Sequence, residues 1–82
     1  MTKHFEDLWE QAEQANKFET SSVKEVLLEL SMKIKLYELI ADTSEKQAKS
    51  KIMGEILFAL TKLSLKEDIN TYIALKNILE SK

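Results

Sequence analysis

SVKEVLLELSMKIKLYELIA, residues 22–41, is the stretch on which the fold turns. At the helical period, Val23, Val26, Leu27, Leu30, Ile34, Tyr37 and Ala41 share one face. Leu28, Met32, Leu36 and Leu39 share another. A helix laid once against a globular core carries a single apolar stripe about 100° wide. Two stripes call for two neighbours. This helix is therefore expected to be a central element, touching helices of its own chain on one side and a further chain on the other. Ser22 stands three residues before Glu25, the spacing of a capping box, so the helix is expected to begin there.

The segments around it are helical too. Upstream, Phe5, Leu8, Trp9 and Ala12 recur at helical spacing, which predicts helix one over about 3–16, docked on the bundle by Trp9 and Phe5. A polar break over 16–22 separates it from helix two. Downstream, Asp42-Thr43-Ser44 is the next break, with Asp42 and Glu45, or Ser44 and Gln47, as candidate caps for helix three over about 44–65. Lys46, Lys49 and Lys51 near its start face the unfavourable end of a helix dipole; they read as a solvated face or as a small anion-binding edge.

Helix three again has two stripes, one of Ala48, Ile52, Ile56, Ala59, Leu60 and Leu63, the other of Met53, Leu57, Leu60 and Ser64, with Phe58 adding a third apolar direction. Gly54 lies in its middle, where glycine costs roughly 1 kcal/mol against alanine. That position is expected to admit a close neighbour, backbone or ligand. Lys66-Glu67-Asp68 ends the helix, and helix four is expected over about 68–80, with Ile69, Tyr72, Ile73, Leu75, Ile78 and Leu79 apolar. The breaks at 42–44 and 66–68 are short, as between antiparallel neighbours.

Composition narrows the class. The 82 residues hold no proline and one glycine, which argues against the turns that a sheet needs. One domain of this size withdraws only about 60–65% of its unfolded surface from water, so small scaffolds depend on disulfides, a metal or oligomerisation. Cysteine is absent, and the single histidine, His4, cannot build a zinc site. Oligomerisation remains. The net charge of −2 comes from 12 basic and 14 acidic residues closely mixed, without the basic surplus of a nucleic-acid binder. No apolar run approaches the roughly 20 residues of a membrane span. The segment from Met1 to Asp7 lacks a signal peptide's apolar stretch, so a cytoplasmic location is expected.

Catalytic options are few. Nucleophilic triads and glycine-rich phosphate loops lack their residues. Carboxylates on facing helices can hold a hard cation such as magnesium. Glu29 in helix two and Glu55 in helix three stand inside apolar stretches and are the candidate metal ligands. Each also reads simply as a solvent-facing carboxylate, because helical neighbours diverge by about 100°. Trp9, Met32, Leu36, Met53 and Phe58 are the candidate interface residues.

The run Ile52-Met53-Gly54-Glu55-Ile56-Leu57-Phe58-Ala59-Leu60, followed by Leu63 and Asp68-Ile69, resembles the MazG-like nucleotide pyrophosphohydrolases, whose third helix reads Glu-Leu-Gly-Asp and then an apolar run. The resemblance implies an all-α dimer or tetramer that splits nucleoside triphosphates into monophosphate and pyrophosphate. It also implies magnesium held by Glu-Glu-x-x-Glu on helix two and Glu-x-x-Asp on helix three. Glu55 stands for the aspartate and Glu29 for the first glutamate. Ile52, Leu30 and Lys33 stand at the other three ligand positions, and none of them binds a cation.

The expected fold is thus all-α, a four-helix, MazG-like bundle completed by oligomerisation. The expected function is binding, of a nucleotide or of a protein partner, with catalysis lost. Two alternatives stay open. One is an active, divergent magnesium-dependent pyrophosphohydrolase using Glu25, Glu29, Glu55 and Glu38. The other is an unrelated helical interaction module.

Overall fold

The computed structural model describes residues 2–82, with side chains from His4 onward; Met1, part of the N-terminal segment read above, lies outside them. Four helices follow one another: α1 Thr2–Ala15, α2 Val23–Ile40, α3 Lys46–Glu67 and α4 Thr71–Glu80. No strand occurs among the described residues. The chain is all-α.

Helix ends are set by local chemistry. Ser22 caps α2 in a complete capping box: the Glu25 N–H donates to the Ser22 hydroxyl at 3.1 Å, and the Ser22 N–H donates to the Glu25 carboxylate at 2.9 Å. At the far end, the Lys49 ammonium donates to the carbonyls of Ala41 at 2.8 Å and Thr43 at 2.6 Å. Those carbonyls lie at and just beyond the end of α2, where a cation is favoured. One member of the lysine cluster therefore closes the preceding helix. Neither expected cap of helix three forms; Glu45 occupies the N-cap position without a side-chain bond, and α3 starts at Lys46.

The α3–α4 turn also differs from expectation. Asp68 is left-handed, with φ 54° and ψ 46°. Its N–H donates to Leu65 O, and the Ile69 N–H donates to Ser64 O at 3.0 Å. This is a Schellman closure. Asp68 therefore ends α3 instead of opening α4, and Asn70 caps α4 by accepting from the Ile73 N–H at 3.1 Å.

Packing centres on α3 rather than on α2. Lys33 of α2 meets Glu55 of α3, and Glu29 meets Lys62, so the two helices run antiparallel. Val26 and Ala59, one from each, are the fully buried apolar residues. On another side of α3, α1 docks through polar groups. The buried Asn16 amide donates to the Thr61 hydroxyl at 2.8 Å and to Ala12 O, while the Ser64 hydroxyl lies 3.2 Å from the Glu13 carboxylate. Trp9 is only half-buried, and Phe5, stacked on it at 6.0 Å, is exposed. The expected aromatic anchor is therefore a secondary one.

The second stripe of α2 stays open: Leu28, Met32, Leu36 and Leu39 are all exposed. Helix α4 buries no residue. The accessible surface is 6773 Å². A compact monomer of this mass exposes about 5,000 Å², which leaves an excess of ~1,700 Å². The radius of gyration, 13.9 Å, also exceeds the roughly 12 Å of a compact domain of this length.

Two predictions follow from the helix ends. Left-handed backbone is costly for any residue with a Cβ. Asp68→Gly is expected to raise the unfolding free energy by roughly 0.5–1 kcal/mol in a denaturant titration. Separately, the Ser22 N–H holds the Glu25 carboxyl below its ordinary value of 4.5, and the Ser21 hydroxyl does the same for Glu19. A depressed carboxyl pKa stabilises the folded state above the unfolded value, and that support disappears as pH falls through the lowered one. Cα chemical shifts of Val23 to Val26 should lose helical character on acidification below 4.5, and Glu25→Gln, which removes the titrating group, should flatten the change.

Candidate functional site

The two candidate metal ligands lie along the α2–α3 seam, and each faces a lysine. The Lys33 ammonium donates to Glu55 Oε1 at 3.2 Å, and the Lys62 ammonium donates to Glu29 Oε1 at 3.2 Å. Both pairs cross between helices. Glu29 lies one turn before Lys33 on α2, and Lys62 lies two turns beyond Glu55 on α3. The two carboxylates thus occupy different levels of the seam, roughly 6–10 Å apart along it.

That donor set does not fit a magnesium ion. Magnesium requires oxygens about 2.0–2.1 Å away in octahedral order. Two carboxylates on separate levels, each already matched by an ammonium, cannot converge on one ion. No group of three or more histidine, aspartate or glutamate side chains able to hold a metal forms among the described residues. Glu25 is engaged in the α2 capping box, and Glu38 is exposed near the far end of α2.

The candidate interface residues divide differently. Met32, Leu36, Met53 and Phe58 are exposed, Met32 the most at 64%. The Lys62 ammonium sits 5.8 Å from the Phe58 ring centre, so the Glu29–Lys62 pair extends onto an aromatic face. Leu28, Met32 and Leu36 form one open apolar face of α2, flanked by Glu25, Glu29 and Lys33. Trp9 stands apart on α1. Its indole N–H is shut off from solvent with no acceptor among the described residues, a costly state for a polar group.

Gly54 is exposed, and a Cβ built on it would meet nothing within 4 Å. The expected close neighbour is absent among the described residues, and Gly54 lies beside the exposed Met53, Leu57 and Phe58. Met53 and Leu57 stay open because α1 reaches α3 near Thr61 and Ser64, one to three turns further on.

Sequence reasoning missed Lys62 as the partner of Glu29. The signal was available: Lys62 follows Glu55 by seven residues and so shares its face of α3. It also missed the Asn16–Thr61 bond, which has no local signature, since the two residues are far apart in the chain.

Compared with family models, with curated proteins and with solved structures, the chain matches none of them.

Two measurements probe this seam. The four ion-paired side chains are between 15% and 38% exposed. A double-mutant cycle of Lys33→Met and Glu55→Gln should therefore give a coupling of only about 0.5 kcal/mol. Gly54→Ala should stabilise the chain by roughly 1 kcal/mol as long as the face around it stays open. A destabilisation would mean that another helix approaches Gly54 in solution.

Proposed function

We propose that this chain is a MazG-like helical module without the magnesium site of that family, and that it acts by binding. A second copy completes its bundle, as a dimer or as half of a tetramer. One observation carries the reading: the second stripe of α2 and the whole apolar side of α4 stand in water, with surface to spare. Single exposed leucines need no explanation, but contiguous apolar faces mark interaction surfaces. Removing ~1,700 Å² from each of two copies gives a total inside the roughly 2,000–5,000 Å² range of obligate dimers.

The ion pairs support the non-catalytic side of the reading. Lysine ammonium groups neutralise Glu29 and Glu55, so the seam is held together without need of a metal ion. Lys33 stands at a position where the resembling family has a glutamate. A nucleotide bound here would meet ammonium groups and the Phe58 ring instead of a metal. The exposed faces also favour the wider reading, a helical interaction module whatever its kinship.

Pyrophosphate release from a panel of nucleoside and deoxynucleoside triphosphates, with magnesium or manganese, tests this reading. None is expected from folded protein. Release that vanishes in Glu55→Gln would overturn it in favour of a divergent pyrophosphohydrolase. Light scattering should give the mass of a dimer or tetramer at micromolar concentration, and a stable monomer would remove the self-association.

A further inference from the structure

Helix α4 has ten residues, and none of them is buried. Substantial packing joins α2 to α3 and α1 to α3, and leaves α4 out. Among the described residues, no side-chain hydrogen bond or ion pair ties α4 to the other helices. Its side-chain bonds are local: the Asn70 cap on the Ile73 N–H, and the Ser81 hydroxyl on Ile78 O. Support from within is thin as well. Isolated helices shorter than about 12–15 residues are marginal in water, even with ideal sequences. Thr71, Tyr72, Ile73, Asn77 and Ile78, half of α4, are among the weaker helix formers. The first turn holds no acid and the last turn no base, while Glu80 stands at the end where a negative charge is unfavourable. Helix α3, by contrast, closes without help from α4. The Asp68 N–H donates to Leu65 O and the Ile69 N–H to Ser64 O, both before α4 begins.

We infer that α4 is a separate folding unit, an order–disorder arm that opens to coil and re-forms while α1–α3 stay folded. Segments with few buried contacts open at the low end of a protein's range of local stabilities. The buried residues all lie elsewhere, Asn16 just after α1, Val26 on α2, and Ala59, Thr61 and Ser64 on α3. None of them loses a neighbour in α4 when the arm opens. The opening needs no partner and is independent of the self-association proposed above. Where a second copy covers the apolar side of α4, the arm orders on assembly, as segments that fold on binding do.

Amide hydrogen exchange along the full chain tests this, at a dilution where light scattering gives the mass of one copy. Amides of residues 74–79 are expected to exchange at nearly the rate of an unstructured peptide. Those of Val26 and Ala59 are expected to be at least about a hundredfold slower. Equal protection on α4 and on the α2–α3 seam would overturn the inference. So would loss of protection at Val26 and Ala59 on dilution, which would leave self-association standing. Leu75→Pro decides the case in which copies remain associated at every dilution, because proline breaks α4 from within. Val26 and Ala59 in that variant should still exchange at least about a hundredfold more slowly than an unstructured peptide. A variant that loses this protection would show that α4 folds as one unit with α1–α3, and the inference would fall.

Discussion

Scarcity of buried apolar surface is the constraint on which the rest of this structure depends. Val26 and Ala59 are the only apolar residues in the described chain fully withdrawn from water. Ordering a residue costs about 1–2 kcal/mol of backbone entropy, and burying one Val or Leu side chain returns about 1.5–3 kcal/mol. Those two side chains alone return far less than ordering 82 residues costs. Half-buried residues along the seam, such as Ile52, Ile56, Leu60 and Leu63, add part of what is needed. The remainder of the apolar content faces outward on α2, α3 and α4.

Polar interactions set the geometry within that limit. The Asn16–Thr61 bond and the neighbouring Ser64 hydroxyl fix where α1 lands on α3. Thr61 also donates back to Phe58 O while accepting from Asn16, so its hydroxyl is used in both senses, and the single Ser64 proton is shared between Thr61 O and the Glu13 carboxylate. Buried polar groups fixed in this way specify an arrangement more than they stabilise it. The cross-helix lysine–glutamate pairs do the same for α2 on α3. The Lys66 ammonium, bonded to Glu19 O at 3.1 Å, ties the α1–α2 loop to the end of α3. These contacts aim the helices, and none of them replaces a core.

Much of the architecture was legible in the residues. The two stripes of α2 suggested a central helix with two neighbours; α3 holds the central place instead, and α2 packs on it through one face. The Ser22–Glu25 spacing located the start of α2 because a capping box is a local event. Helix ends that depend on competition were less legible. Asp68 was a plausible opener of α4, but as the left-handed residue closing α3 it could not also serve there, and Asn70 took the role. Gly54 pointed to a close neighbour, and among the described residues none comes within 4 Å of its Cβ position. Glu29 and Glu55 were legible as carboxylates among apolar residues, but their lysine partners depend on how α2 and α3 align, which a single helix does not encode. The openness of α4 left no trace in its amphipathic pattern, since an apolar face reads the same whether it is packed or exposed.

The central claim is that the fold is incomplete in one copy. The most direct test is the melting temperature followed by circular dichroism over a hundredfold range of protein concentration. If association supplies the missing core, folding and assembly are linked, and the melting temperature climbs steadily with concentration. A melting temperature that stays constant over the whole range, with full helicity at the lowest concentration, would show that one chain folds unaided and would contradict the account.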